Sequence, residues 1–118
     1  MAAPNLLSTT TVTGKTAVAA LTTVTSNVIT NSSGSSTVDK LNNVILTNYT
    51  SSAVSANIMI NRSSTLYYIG GAVAIPANST LVLLGKDTSI YLEEGDVVQA
   101  NVSANSSVSF TASYELMS

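Results

Sequence analysis

The chain has 118 residues, a length that suits one domain able to bury roughly two-thirds of the surface it exposes when unfolded. Hydrophobic residues make up 45% of it and charged residues only 8%, a balance that argues against a disordered chain. A net charge of −2 with four scattered basic residues disfavours nucleic-acid binding, and the absence of cysteine and histidine removes thiol chemistry and the usual zinc ligands.

Residues 1–13 are predicted to form an extended N-terminal arm. Pro4 and the Ser/Thr run of residues 8–11 favour extended backbone. Leu6 and Leu7 supply its large apolar side chains. Two interpretations remain open, a loose terminus or an arm whose leucines clip onto a neighbouring subunit. The segment lacks the pattern of a secretion signal, and no run of the chain approaches the roughly 18 apolar residues of a membrane helix.

The first half of the domain is predicted to consist of strands. Alanines favour helix and β-branched residues favour strand over residues 16–30, and we predict two short strands with a bend near Ser26 and Asn27. Residues 37–48 alternate imperfectly, which predicts a bulge near Asn42. Residues 54–61 alternate strictly, which predicts a half-buried strand with Met59 on the polar side.

The second half continues the strand pattern. A hairpin turn is predicted at residues 62–65, and Gly70 with Gly71 indicates a break or bulge in the strand that follows. Pro76 should end a strand or lie on an edge, because it has no backbone donor. The strongest alternation occurs in residues 108–116, whose central Phe110 predicts a strand in the middle of a sheet.

The whole pattern predicts an all-β fold. Nine or ten short strands, with turn signals roughly every ten residues, are typical of a sandwich or jelly roll. Residues 14–118 are therefore predicted to form a single-domain antiparallel β-sandwich, jelly-roll-like, preceded by the arm.

One acidic cluster is a candidate for a metal site or for acid–base catalysis: Glu93, Glu94 and Asp96 around Gly95. It could be a β-turn whose carboxylates face water, or part of a calcium site. Adjacent carboxylates on a strand point to opposite faces and make a poor acid–base pair, and no general base stands beside any serine. We therefore expect no enzymatic activity, no metal and no cofactor.

Tyrosines provide another candidate site. Tyr67 and Tyr68 are adjacent on a predicted strand, so at least one of them should be exposed. With Tyr91 they could form a carbohydrate platform, although half-buried structural tyrosines are commoner and the chain has no tryptophan.

Three stretches of the chain carry a resemblance to known proteins: TVTGKTAVAALTT at residues 11–23, NIMINRSSTLYYI at residues 57–69, and residues 75–117. Together they resemble small virion structural proteins of tailed phages that infect marine cyanobacteria, over residues 10–117. The size and β-rich composition are also similar to those of capsid decoration (cement) proteins, which sit outside the shell and bridge neighbouring major capsid subunits. No functional motif exists to carry over.

The resemblance implies a non-enzymatic virion protein, made in the host cytoplasm and bound to the exterior of the capsid. Its partners would be other virion proteins, above all the major capsid protein, and further copies of itself, with no nucleic acid and no membrane. The candidate subunit contacts are Leu6, Leu7, Tyr67 and Tyr68. The alternatives are a neck, tail or fibre component of the virion, and a host-glycan-binding β-sandwich.

Overall fold

The computed structural model describes residues 11–85 and 89–118, and this part of the chain contains strands but no helix. The strands are β1 (Val12–Ala20), β2 (Ser26–Thr30), β3 (Val38–Asn48), β4 (Val54–Arg62), β5 (Thr65–Ile75), β6 (Ser79–Leu84), β7 (Ile90–Leu92), β8 (Val97–Val102) and β9 (Val108–Met117). They form two antiparallel sheets, which confirms the predicted all-β, sandwich-like fold.

The chain passes repeatedly between the two sheets. Sheet I has the order β1-β9-β3-β6, and β7 pairs with the first part of β3. Sheet II has the order β2-β8-β4-β5. As a result β9, the last strand in sequence, lies in sheet I between β1 and β3.

The core lies between the sheets and is built by the predicted alternation. Phe110 is fully buried, and its strand is central, as predicted; its neighbours across the ladder are Ala19 and Leu46. The alternating β4 buries Val54, Ala56 and Ile58 on the same side. Together these residues exclude water from a continuous apolar layer, which is the main source of stability in such a fold.

Of the two irregularities predicted within the first three strands, a bulge and a bend, one is found where it was predicted. A register shift between Leu41 and Asn43 confirms the predicted bulge. The predicted bend near Ser26 was placed too late, because β1 ends at Ala20 and β2 begins at Ser26. The bend follows Leu21, which is buried and donates its N–H to the Val108 carbonyl at 3.0 Å, so this leucine is fixed where the chain leaves sheet I.

The N-terminal region is described only from Thr11 onwards. β1 begins at Val12, so Val12 and Thr13, which the sequence assigned to the arm, belong to sheet I. Leu6 and Leu7 lie outside the described residues, and their clasping role stays a prediction.

Candidate interaction surface

The β4–β5 hairpin carries both tyrosines that the sequence singled out. Its turn is a two-residue loop, because Arg62 pairs with Thr65 and only Ser63 and Ser64 lie between them. Both serines have positive φ, 53° and 64°, as the tight turns that suit a twisted hairpin require. The hairpin predicted at residues 62–65 is thereby confirmed, with serines in place of the usual Asn-Gly pair.

The start of β5 is exposed on both of its faces. Leu66, Tyr67 and Tyr68 are 43%, 58% and 59% exposed. Successive strand residues point in opposite directions, so their common exposure means that neither face of this part of β5 is covered. The sequence required only one exposed tyrosine, and the structure places both at the surface.

On one side of the hairpin, Tyr67 borders a depression of about 240 Å³ that is lined by Ile60, Arg62 and Tyr67. Ile60 and Tyr67 are cross-strand partners, so the aromatic ring and the aliphatic side chain form its apolar wall. Arg62 supplies hydrogen-bond donors at its edge. An apolar wall beside fixed donors is a common arrangement in binding sites.

The Arg62 guanidinium is held in place by two carboxylates. Its Nε donates to Asp96 Oδ1 at 2.8 Å and its Nη2 to Asp96 Oδ2 at 2.5 Å. Glu93 Oε2 lies 3.1 Å from the same Nη2. The hydrogen bond to Asp96 is the largest cause that raises the pKa of Arg62, partly opposed by desolvation. Arg62 therefore stays protonated, but its charge is neutralised locally and it acts as a fixed donor group.

The acidic cluster is a turn, and part of the prediction for it was wrong. Gly95 has a φ of 89°, which confirms the turn, but Asp96 is only 1% exposed and does not face water. Besides Arg62, it accepts the Glu93 N–H at 2.8 Å. Glu94 Oε2 accepts the Ser36 N–H at 2.7 Å. The sequence could not show this, because Arg62 lies 34 positions before its partner.

Across residues 11–85 and 89–118, no group of three or more acidic, histidine or cysteine side chains is arranged to hold a metal ion. The same part of the chain has no helix long and apolar enough to cross a membrane.

On the other side of the hairpin, Tyr68 lies on the outer face of sheet II next to a buried methionine. Met59 is its cross-strand partner and is only 1% exposed. The strict alternation of β4 predicted Met59 on the polar face, and it does lie on that face, but the neighbouring side chains cover it. Its burial gives the hairpin an apolar support outside the main core.

Side-chain amides cover the rest of the outer face of sheet II. Asn101 Nδ2 donates to Thr25 Oγ1 at 2.8 Å, and Asn57 Nδ2 donates to Asn101 Oδ1 at 2.9 Å. Asn57 Oδ1 in turn accepts the Ala72 N–H at 2.8 Å. These bonds link the segment before β2 to β8, β4 and β5 in one transverse row.

A second amide row runs beside the first. Gln99 Nε2 donates to Asn27 Oδ1 at 2.7 Å, and Gln99 Oε1 accepts from Asn61 Nδ2 at 3.4 Å. We call the two rows the amide network. The sequence signal for it was the alternation of amides with apolar residues in β4 and β8, but the partners depend on strand register, which the sequence did not give.

The candidate residues do not all come together. Tyr67 and Tyr68 share one hairpin on sheet II, whereas Tyr91 is exposed on β7 of sheet I, so the three tyrosines do not form the single platform considered from the sequence. No protein-family model and no curated protein matches this chain. Its function is therefore inferred from its residues and their arrangement.

Proposed function

We propose that this protein is a non-enzymatic structural protein of a phage virion, and specifically a decoration protein on the exterior of the head that bridges neighbouring major capsid subunits. The observation that carries the proposal is the exposed Leu66-Tyr67-Tyr68 segment at the start of β5, on a domain with very few charges. The resemblance to virion proteins of cyanobacterial phages supports the same role.

The hairpin has the properties of a protein-binding element. Tyrosine is enriched among the residues that contribute most to protein interfaces, and charged residues are depleted at interface centres. The tight turn and the anchored Arg62 hold the hairpin before any partner binds. Such preorganisation lowers the entropy lost on association.

The strand order supports a jelly-roll topology for the domain. Sheet I pairs the first strand with the last, β3 with β9, and β3 with β6, while sheet II pairs β2 with β8 and β4 with both β8 and β5. Eight strands folded as two such sheets are found in viral capsid and lectin domains. The topology fits a virion protein and a glycan-binding protein equally, so the surface must decide between them.

Repetition over a symmetric shell would strengthen weak individual contacts. Each copy needs only modest affinity for a capsid subunit if several contacts act together. The partners are the major capsid protein and further copies of this chain, and neither nucleic acid nor a membrane takes part. Leu6 and Leu7 would clasp a neighbouring subunit, in which case limited proteolysis should cut residues 1–10 in the free protein and spare them in the particle.

The copy number in purified particles tests the location. A decoration protein should be present in hundreds of copies, and labelled antibody should reach it on intact heads. A ring of about twelve copies or fewer would contradict the proposal and support the neck, tail or fibre alternative.

Rebinding to heads stripped of the protein tests the surface. Tyr67→Ser and Tyr68→Ser should each weaken binding at least about tenfold, as expected for residues central to an interface. Tyr91→Ser is the matched control, because Tyr91 is also an exposed strand tyrosine but lies on the other sheet. Equal effects of all three changes would contradict a hairpin interface.

One observation favours the glycan-binding alternative. The depression at Tyr67 combines an aromatic ring with the fixed donors of Arg62, which suits a sugar ring and its hydroxyls. In that case the isolated protein should bind host lipopolysaccharide, and Tyr67→Ala should abolish the binding. Unchanged binding to stripped heads by the same variant would then separate the two functions.

A further inference from the structure

β1 is unlike the other strands at the edges of the two sheets. β2, β5 and β6 each show at least one register shift against their neighbour, and β7 has only three residues. β1 pairs with β9 over nine consecutive positions without a shift, and it contains no proline. Bulges, prolines, short length and lysines are among the devices that keep an edge strand from accepting another strand. β1 lacks the first three and carries a single lysine, Lys15.

No strand within residues 11–85 and 89–118 pairs with the other side of β1, and the backbone groups there can be identified. Thr11 and Ser118 exchange both hydrogen bonds, at 3.1 and 2.9 Å, and Leu21 N–H donates to the Val108 carbonyl at 3.0 Å. In an antiparallel ladder such pairs alternate, so the odd-numbered residues of β1 bond to β9. The even-numbered residues therefore direct their N–H and C=O groups to the free edge: Val12, Gly14, Thr16, Val18 and Ala20.

The side chains of these residues would fit those of a second β1 in size if the two strands paired with Thr16 opposite Thr16. If a second β1 lies antiparallel with Thr16 opposite Thr16, then Val18 lies opposite Gly14 and Val12 opposite Ala20. Val18 is 74% exposed, and nothing lies within 4 Å of the position that a Cβ on Gly14 would occupy. The exposed valine of each copy would fill the open space over the glycine of the other.

Neighbouring registers fit less well. Centring the pair on Lys15 places two ammonium groups directly opposite each other, which is unfavourable. Centring it on Ala17 places Gly14 opposite Ala20 and leaves space unfilled, and it shortens the overlap. The Thr16 register pairs all nine residues of β1 and places Lys15 opposite Ala17.

We infer that two copies of this protein pair through β1, antiparallel and with Thr16 opposite Thr16, so that sheet I continues across both copies. A shallow depression of about 430 Å³ borders Ala20 and Ser109, next to the position that this register gives to Val12 of the second copy. The pairing is a property of the isolated protein and does not depend on the virion role.

Sedimentation equilibrium of the full chain tests whether the pair forms. The expected species has twice the monomer mass of 12.1 kDa. Val18→Lys should weaken the association at least tenfold. Val82→Lys is the control, because Val82 is 60% exposed in the same transverse row but lies on β6 at the far side of the sheet. A wild-type protein that stays monomeric at about 1 mM, or equal weakening by both changes, would overturn the inference.

Disulfide formation tests the register. The chain has no cysteine, so a single introduced thiol can join only two copies. Thr16→Cys places two thiols on residues about 5.5 Å apart between Cα atoms, within the range of a disulfide. Val12→Cys places them about 27 Å apart in the same pair. Rapid oxidation of the first variant alone to a covalent dimer is expected, and preferential oxidation of the second would overturn the register.

Discussion

The outer faces of the two sheets differ in how their polar side chains are connected. On sheet II, the amide network joins side chains across neighbouring strands. On sheet I, Val18, Thr111, Ile45 and Val82 lie in one transverse row, and no hydrogen bond joins two side chains in it. On sheet I the hydrogen bonds between side chains are separate pairs, Asn42 with Glu115 and Thr47 with Thr80, so the network on sheet II links more strands.

The two buried aspartates show the same difference. Asp96, just before β8 of sheet II, has its carboxylate bound by Arg62 and by the Glu93 N–H. Asp39, on β3 of sheet I, is only 2% exposed, and its Oδ1 has no hydrogen-bond partner. The carboxylate of Asp96 is thus well bonded and that of Asp39 is not, and variants of each can measure the difference.

The largest expected effect comes from the inner face of sheet I. Phe110→Ala should lower the free energy of unfolding by about 3–5 kcal/mol, because it leaves a cavity under the central strand. Urea denaturation followed by circular dichroism measures the loss. A loss below about 1 kcal/mol would show that sheet I is not held chiefly through its core.

Removal of the paired carboxylate should have the next largest effect. Asp96→Asn weakens two charge-assisted bonds to Arg62, and we expect a loss of about 1.5–3 kcal/mol. Glu93→Gln is the control, since Glu93 is well exposed and touches Arg62 only at 3.1 Å; it should cost about 0–1 kcal/mol. If both changes cost the same, the buried pair does not anchor the hairpin.

The amide network can be compared directly with the unbonded row. Asn101→Ala removes one of its members and leaves Thr25 and Asn57 without that partner, at an expected cost of about 1–2 kcal/mol. Thr111→Val removes a hydroxyl from the row on sheet I and should change stability by less than about 0.5 kcal/mol. The same denaturation measurement decides whether the two faces differ as described.

The smallest expected effect is an increase in stability, on substitution of Asp39. Burial raises the pKa of Asp39, with Lys15 acting in the opposite sense. A raised pKa means that the folded protein holds this proton more tightly, so the contribution of Asp39 to stability is fully present below the ordinary aspartate pKa and is lost as pH rises through the raised value. Asp39→Asn should therefore be more stable than wild type at neutral pH and equal to it near pH 3. Thermal unfolding at both pH values measures this, and a destabilised variant at neutral pH would contradict it.

Sequence patterns sufficed where the signal was local. The alternation around Phe110 identified the central strand, and the residues from Arg62 to Thr65 identified the hairpin. The burial of Met59 and the bond between Arg62 and Asp96 could not be predicted, because each depends on which strands become neighbours and in what register. For the candidate contacts, the sequence predicted that at least one of Tyr67 and Tyr68 is exposed. Both are exposed, because neither face of the hairpin is covered at this point.

The position of β9 between β1 and β3 has a consequence for how the protein is made. Among the strands that the structure describes, β9 (Val108–Met117) is the only partner of β1 in sheet I. During synthesis β1 therefore stays unpaired within its own chain until β9 has been made, and only then can these two strands of sheet I join. Such long-range pairing is slow and exposes edges that can aggregate. A longer time in this open state should therefore lower the yield of folded protein.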